Sequence, residues 1–379
     1  MVKKLETIDI KILECLDQYG PRNLSLIARN LGIPRDTVEY RLERMSTLFS
    51  LHPTAVVRAS KIGMKTALLF VSSSPRFKEA LIECVKANDY WRYLSQIYGN
   101  TEGVLVFYNI PLEHTRNFEG FFYLLKSLKF VKNSKLYWTT GFKTINPTMK
   151  WFDPNSGRWI LKWKEWINEM ALLEPEMPPT FEEPKDYSIE ADYIDMFILS
   201  RLEINGRVSF KEIAQKLGIT PAAVSYHYNK HVLKRGLIKE WNITIRRFEG
   251  DSDRFFFFFK FNSEEEMTRF AFSVQDKPFL YGLRRICGEN SLIAHLGLPP
   301  GEFRMFLQSL SHLIKMGFLQ SYDYLLEDYT TALGRTIPYR YFQKGEWKYN
   351  HKGHIRELMK ITEVQKMIEL HVAGQEYFQ

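Results

Sequence analysis

The second half of the chain repeats the first half. Residues 26–42, LIARNLGIPRDTVEYRL, align without a gap with residues 212–228, EIAQKLGITPAAVSYHY, and the register holds upstream, where TIDIKILECL meets YIDMFILSRL. The apolar residues of the upstream stretch recur at helical spacing in both copies. Internal similarity of this length indicates two structural units of one kind. Each copy therefore begins with three predicted helices, the arrangement of a helix-turn-helix domain.

The second copy carries the clearest helix start and stop residues. Ser209 and Glu212 have the S-x-x-E spacing of a capping box, which satisfies free backbone N–H groups at a helix start. Gly218 suits the left-handed position where that helix ends. Thr220 can cap the next helix, and Pro221 takes its first position, where no N–H is needed. The sequence thus predicts a recognition helix over residues 220–236.

One face of this predicted recognition helix is apolar. Val224, Tyr228 and Val232 recur at helical spacing and form that face. The opposite face is small, polar and cationic, which suits a helix that enters the major groove of DNA. We expect five residues on it, namely Ala222, Ser225, Tyr226, Asn229 and Lys230.

Each helix-turn-helix copy is followed by a mixed segment of strands and helices. In the first copy the predicted elements cover 65–71, 77–87, 91–98, 104–110, 112–128 and 136–140, and in the second 254–261, 264–274, 281–287, 292–298, 302–314 and 320–326. Both sets have the order β-α-β-β-α-β of a ferredoxin-like domain. The predicted fold class is therefore α+β, with two repeats of a helix-turn-helix domain and a ferredoxin-like domain.

A run of five phenylalanines, 255–259, requires cover on both faces of its strand. The two helices of a ferredoxin-like domain cover only one face. We expect the other face to bury against the sheet of the first repeat, so that the two sheets pack face to face. The C-terminal segment or a second molecule is the alternative cover.

These patterns divide the chain into six predicted segments. They are a first helix-turn-helix (1–60), a first ferredoxin-like effector-type domain (61–150), a helix with a Pro/Glu-rich linker (151–188), a second helix-turn-helix (189–250), a second ferredoxin-like domain (251–330) and a basic aromatic C-terminal segment (331–379). That last segment could follow a phosphate backbone or form a solvated hairpin that covers the sheet.

Composition limits the environment and the partners. A net charge of +8 and a pI near 9.1 favour a polyanionic partner. Cys15, Cys84 and Cys287 lie far apart and form no C-x-x-C, so we expect reduced cysteines, no disulfide and a cytoplasmic protein. Neither a signal peptide nor a membrane-spanning stretch is predicted, and we expect no membrane partner.

Motifs of catalysis and of metal or cofactor binding are not found in the sequence. It contains neither G-x-x-x-x-G-K-[ST] nor G-x-G-x-x-G, and no nucleophile elbow. We therefore predict no enzymatic activity and no cofactor. His227 and His231 are spaced like a metal pair on one helix, but no third ligand with matching spacing follows. The sequence analysis favours contact with DNA or solvent for both histidines and no metal.

The chain resembles the Lrp/AsnC family of bacterial and archaeal transcriptional regulators. The resemblance is carried by IDIKILECL, LIARNLGIPRDTVEYRLERM, VVRASKIGMKTALLFV and the turns in IYGNTEGVLVF and ICGENSLIAHL. It implies effector-type domains that pair sheet to sheet, with amino-acid sensing near the glycine turn. The implied DNA contacts are Arg35, Tyr40 and Arg41 in the first copy and Ser225, Tyr226, His227 and Lys230 in the second. The implied effector turns are Gly99, Asn100 and Thr101, and Gly288, Glu289 and Asn290.

This chain departs from the family pattern at the effector turns. Where the family usually has an aspartate after the turn glycine, this chain has Glu102 or Gly103 in the first copy and Ser291 in the second, which argues against amino-acid sensing. Pro34 replaces a capping Ser or Thr before the first recognition helix, and Asp36 and Glu39 weaken its attraction for phosphate. The second copy is therefore expected to dominate DNA binding.

The predicted function is a sequence-specific regulator of transcription that binds double-stranded DNA as an intramolecular pseudo-dimer. A small-molecule effector or a protein of the transcription machinery remains open as a further partner, as does further dimerisation. One alternative is a protein-interaction module of the transcription machinery. Another is an enzyme similar to the siroheme decarboxylases, which share the element order, although their histidine-rich strand segment is missing from YWRYLSQIYG and LYGLRRICG.

Overall fold

The computed structural model describes residues 4–99, 102–174, 181–248 and 252–362. The chain divides into a larger and a smaller compact unit. The larger unit comprises Met1–Arg58, Thr140–Lys185 and Glu190–Leu326, and the smaller unit comprises Ala59–Thr139, Asp186–Ile189 and Glu327–Gln379. Both helix-turn-helix bundles belong to the larger unit.

The elements follow the order that the sequence predicts. The α-helices are α1 (Thr7–Tyr19), α2 (Leu24–Leu31), α3 (Arg35–Phe49), α4 (Lys78–Lys86), α5 (Thr115–Lys126), α6 (Trp163–Leu172), α7 (Tyr193–Leu202), α8 (Phe210–Leu217), α9 (Pro221–Tyr226), α10 (Glu264–Ser273) and α11 (Glu302–Lys315). The strands are β1 (His52–Val57), β2 (Met64–Ser73), β3 (Trp91–Tyr98), β4 (Gly103–Pro111), β5 (Val131–Thr139), β6 (Lys143–Thr144), β7 (Phe152–Asp153), β8 (Arg158–Trp159), β9 (Ile238–Thr244), β10 (Asp253–Lys260), β11 (Leu280–Arg285), β12 (Ser291–Leu298), β13 (Ser321–Gly334), β14 (Phe342–Gln343) and β15 (Glu346–Trp347).

The two helix-turn-helix bundles are joined within the larger unit. The strands that follow them, β1 and β9, pair antiparallel, with His52 opposite Thr244. The guanidinium of Arg22, in the first bundle, lies 3.9 Å from the ring centroid of Phe210 in the second and donates to the carbonyl oxygen of Val208. Backbone pairing and a cation–π contact thus connect the bundles directly.

A split β-α-β domain completes each half of the chain. The larger unit contains the strand order β13-β10-β12-β11-β6, with β13 included as far as Leu326, and the smaller unit contains β5-β2-β4-β3. Within each set, the first and third strands of the domain are central and antiparallel, as in β10 with β12 and β2 with β4. The α+β class and the ferredoxin-like order are confirmed. The face-to-face packing of the two sheets stays a prediction.

The phenylalanine run lies in β10 and is covered by helices on one face. Phe257 contacts Phe306 of α11 at 5.1 Å between ring centroids, and Phe259 contacts Phe270 of α10 at 4.7 Å. On the other face Phe256 stacks on His295 of β12 at 4.6 Å. Aromatic pairs at these distances add to the free energy gained by burial alone.

The segment between the halves contributes to the core of the larger unit. Trp166 of α6 is fully buried among Phe270, Phe279 and Phe306, and its indole N–H donates to Ser273 Oγ at 3.0 Å. An amphipathic helix with a buried tryptophan stabilises the domain on which it packs. Among the described residues, no helix has the length and apolarity needed to cross a membrane.

Candidate nucleic-acid interface

The predicted caps set the geometry of the second recognition helix. Thr220 Oγ1 accepts a hydrogen bond from the backbone N–H of Ala223 at 3.2 Å, and Pro221 is the first residue of α9. Gly218 has a φ of 68°, so the left-handed end of α8 is confirmed. Only half of the expected capping box forms, because Ser209 Oγ accepts from the N–H of Glu212 while the Glu212 carboxylate pairs with Lys216 instead.

The recognition helix does not stay α-helical. The α-helix ends at Tyr226, and His227–Leu233 continues as a π-helix. A π-helical turn accommodates one extra residue and often marks a functional site. The spacing of the buried residues differs between the two recognition helices. They are Val38, Leu42 and Met45 in the first bundle and Val224, Tyr228 and Val232 in the second. The distance between the last two buried positions is therefore three residues in the first helix and four in the second.

The outward face of the second recognition helix lies as the sequence predicts. Ala222, Asn229 and Lys230 are exposed, and Tyr226 has 58% of its surface exposed. Ser225 is half-buried, and its carbonyl oxygen accepts from Asn229 Nδ2 at 2.8 Å. These side chains are accessible to a DNA groove, and their contact with bases or phosphates stays a prediction.

His227 lies outside this surface. Its Nδ1 is 2.9 Å from Oδ1 of Asp195 in α7, and only 15% of its side chain is exposed. The family resemblance, carried over position by position, places His227 among the DNA contacts. In the structure the imidazole faces α7, which leaves it little surface for DNA.

His231 joins His227 in a cluster with two carboxylates. The donor atoms of Asp192, Asp195, His227 and His231 all lie within 4.8 Å of one another. The sequence shows no third ligand with matching spacing near the two histidines, because the carboxylates come from α7, far upstream in sequence. The absence of a metal stays a prediction. The alignment of the two copies pairs Asp9 with Asp195 on the first helix of each bundle. This pairing is the sequence signal that could have pointed to a carboxylate near the histidines.

The first recognition helix presents fewer accessible side chains. Tyr40 has 66% of its surface exposed, and Arg35 is exposed with its guanidinium 3.7 Å from the Glu39 carboxylate. Arg41 is engaged within the bundle, because its guanidinium lies 3.0 Å from Asp9 and 3.1 Å from Glu6. Arg41 therefore supports the packing of α3 on α1, and a role in DNA contact stays a prediction.

The glycine turns predicted to bind an effector are partly described. Gly288 has a φ of 76°, and its N–H donates to Glu183 Oε1 at 2.9 Å. Glu289 accepts from Ser291 Oγ at 3.2 Å, and the carbonyl oxygen of Asn290 accepts from the N–H of Phe261. In the other turn Gly99 is exposed, while Asn100 and Thr101 lie outside the described residues. Effector binding at either turn stays a prediction.

Comparisons with known proteins give two kinds of similarity. A profile of the AsnC-type helix-turn-helix domain matches residues 192–229. The structure is similar to that of the siroheme decarboxylase NirDL at 12% identity, over 95% of this chain and 100% of that chain, with a TM-score of 0.55. The complex of NirDL with an iron-uroporphyrin III analogue matches at 12% identity, over 94% and 98%, with the same TM-score of 0.55.

A transcriptional regulator is also similar to part of the chain. The AsnC family transcriptional regulator from Agrobacterium tumefaciens matches at 14% identity, over 38% of this chain and 95% of that chain, with a TM-score of 0.29. The comparison with curated proteins found no match.

The comparisons confirm one prediction and correct another. The second helix-turn-helix is of the AsnC type, and this domain covers α7, α8 and α9. The expectation that the chain is not an enzyme is wrong, because the structure that matches 95% of this chain is that of an enzyme. That expectation rested on missing sequence motifs, which a site assembled from distant residues does not need. At this identity the likeness shows the fold alone.

Proposed function

We propose that the chain is a DNA-binding regulator of transcription that reads the major groove with its second recognition helix. The observation that carries the proposal is the AsnC-type domain at 192–229, together with the exposure of Ala222 and Tyr226 in α9 and of Asn229 and Lys230 in the π-helix that follows it. A helix N-terminus capped by Thr220 and followed by small and polar side chains suits base-edge contact.

The residues on this surface have distinct expected roles. Lys230 is placed for a phosphate, because an exposed ammonium gains from releasing condensed counterions without reading sequence. Tyr226, near the end of α9, offers an aromatic ring for apolar contact with a base edge. Asn229 is fixed by its bond to the Ser225 carbonyl oxygen, which limits the rotamers that it presents to DNA.

The two bundles support recognition of an asymmetric site. Their recognition helices differ in sequence, TVEYR against VSYHY, while the β1–β9 pairing and Arg22 connect the bundles. If both helices engage one face of the duplex, the half-sites lie about 10 bp apart or a multiple of that spacing. One chain would then act as its own pseudo-dimer, with a small ligand or partner protein as the modulator.

Footprinting on genomic fragments tests this proposal. A discrete protected sequence, bound more weakly as the salt concentration rises, is the expected result. Diffuse or absent protection would contradict DNA recognition and support the use of the same surface for a protein of the transcription machinery. The matched control is the chain with Tyr226→Ala and Lys230→Ala, which should lose the footprint and keep its melting temperature because both residues are exposed.

An enzymatic function is the second candidate, and the full-length likeness to siroheme decarboxylase favours it. In this case the chain would bind a tetrapyrrole with carboxylate side chains and release carbon dioxide from it. Mixing the purified protein with siroheme tests this function directly. A shifted absorption band and a product lighter by the mass of one or more carbon dioxide molecules would support it, and an unchanged spectrum would contradict it.

A further inference from the structure

The cluster of Asp192, Asp195, His227 and His231 lies where α7 meets the π-helical end of the second recognition helix. We propose that these four side chains form a binding site for a divalent transition-metal ion of the Zn²⁺ type. The bound ion would fasten the second half of the recognition helix to α7. This inference stands apart from the proposed DNA binding.

The spacing of the donor atoms fits a tetrahedral ion. His227 Nδ1 lies 2.9 Å from Asp195 Oδ1 and 3.5 Å from Asp192 Oδ2. His231 Nδ1 lies 3.2 Å from the same Asp195 Oδ1 and 3.7 Å from Asp192 Oδ2. Zinc with bonds of about 2.0–2.1 Å in a tetrahedron separates its ligand atoms by about 3.3–3.4 Å. The four distances lie within a few tenths of an ångström of that value, and imidazole and carboxylate are ligands that zinc accepts.

The capping box of α7 orients the two carboxylates. The N–H of Asp195 donates to Asp192 Oδ1 at 2.9 Å, and the N–H of Asp192 donates to Asp195 Oδ2 at 3.0 Å. One oxygen of each carboxylate is thereby held by the backbone, while Asp192 Oδ2 and Asp195 Oδ1 face the imidazoles. Hydrogen bonds of this kind fix metal ligands before the ion binds.

In the first bundle, arginines balance the charge of the equivalent carboxylates. Glu6 and Asp9 form the capping box of α1, as Asp192 and Asp195 do in α7. Arg41 and Arg44 of α3 reach Asp9 at 3.0 and 2.9 Å. Two guanidiniums, which are always protonated in proteins, thus balance two carboxylates, one of which has no exposed surface.

In the second bundle histidines stand in both arginine positions. Asp195 is as buried as Asp9, at 0% exposure, so its charge also requires compensation. Arg235 contributes in part, with Nη1 3.9 Å from Asp195 Oδ2 and a hydrogen bond to the Glu190 carbonyl oxygen. Because imidazole ligates metals in its neutral form, a divalent ion would supply the charge that Arg41 and Arg44 supply in the first bundle.

The π-helical turn places the second imidazole. The last buried position moves from Met45 in the first bundle to Val232 in the second, one residue further along the helix. His231 consequently takes the place of Arg44, beside His227 at 4.5 Å between ring centroids. A one-residue insertion at a ligand is a typical use of a π-bulge.

Metal content of the untagged full-length protein tests the site. The protein is stripped with a chelator and dialysed against Zn²⁺, and metal is counted by mass spectrometry and followed by thermal melting. One zinc ion per chain and a melting temperature raised by zinc are expected, because an ion that binds only the folded state stabilises it. Cobalt substitution should give the visible spectrum of tetrahedral Co²⁺. A wild-type chain that binds no zinc would overturn the proposal.

A variant with both histidines replaced keeps the test decisive. His227→Arg combined with His231→Arg restores the charges of the first bundle, so the fold should persist while zinc affinity falls on the order of a hundredfold or more. His312→Ala, which removes an exposed histidine of α11, should bind zinc like the wild type. Equal zinc affinity in the double variant and the wild type would contradict the assignment, whatever the outcome of DNA binding.

Discussion

Arg41 Nη1 lies 3.0 Å from Oδ1 of Asp9, a carboxylate without exposed surface, and this ion pair joins α3 to α1. Removing one partner of a buried pair leaves an uncompensated charge in the interior. Arg44 still reaches Asp9, so the carboxylate keeps one cationic partner. We therefore expect Arg41→Ala to lower the free energy of unfolding by about 2 kcal/mol, which is less than the cost of breaking an isolated buried ion pair.

Arg35→Ala is the matched control for Arg41→Ala. Arg35 is exposed and forms a surface pair with Glu39, so its loss should change the free energy of unfolding by no more than about 0.5 kcal/mol. Urea titration followed by circular dichroism measures both variants. Equal stability of the two variants would contradict the structural role of Arg41.

The Thr220 cap predicts a second stability effect. Thr220 Oγ1 accepts from the N–H of Ala223 at the start of α9. Thr220→Ala should cost about 1 kcal/mol, because one backbone donor then lacks its partner. Thr220→Ser keeps the hydroxyl and should melt close to the wild-type temperature. A Thr220→Ser variant as unstable as Thr220→Ala would show that the cap is not the cause.

Lys239 predicts a pH dependence. Burial lowers the pKa of Lys239 to about 8, and its Nζ donates to the carbonyl oxygens of Gly141 and Phe142. The unfolded chain holds this proton up to a pKa of about 10.4, so between these values the unfolded state binds more protons and raising the pH favours folding. The stability of the wild type relative to Lys239→Met should therefore rise from about pH 7.5 to about pH 9.5. A difference that stays constant or falls over this range would be the contrary result.

Salt dependence separates phosphate contacts from other contacts. Lys230 is exposed on the recognition helix, and Lys315 is exposed at the end of α11. Lys230→Ala should reduce the slope of log affinity against log salt by about one unit, because one fewer counterion is released. Lys315→Ala should leave the slope unchanged. Fluorescence anisotropy at several salt concentrations gives the slope for each variant. Equal slopes for Lys230→Ala and Lys315→Ala would contradict a phosphate contact by Lys230.

Local rules predicted much of the fold from the sequence. The strand at Trp91–Tyr98 was expected over the same residues, and the helix at Glu264–Ser273 differs by one residue from its predicted end. Thr220, Pro221 and Gly218 occupy their expected cap positions because each role depends on the nearest few residues. Alternation and capping are local, so a single sequence suffices to read them.

The interactions that the sequence missed join residues that are distant along the chain. The π-helical turn follows no sequence period, because it inserts one residue into an otherwise regular helix. Asp195 meets His227 across 32 positions, and Glu183 meets Gly288 across 105. Tertiary packing decides these contacts, so the sequence alone does not bring Asp195 to the histidines or Glu183 to the glycine turn.

DNA affinity of paired variants tests the central claim most directly. Tyr226→Ala with Lys230→Ala changes the second recognition helix, and Arg35→Ala with Tyr40→Ala changes exposed residues of the first. Each lost base or phosphate contact costs about 1–3 kcal/mol, so the loss of both contacts should weaken binding to the footprinted site by roughly thirtyfold or more, and more than the second pair does. Unchanged affinity of the Tyr226 and Lys230 variant would contradict DNA recognition by the second helix.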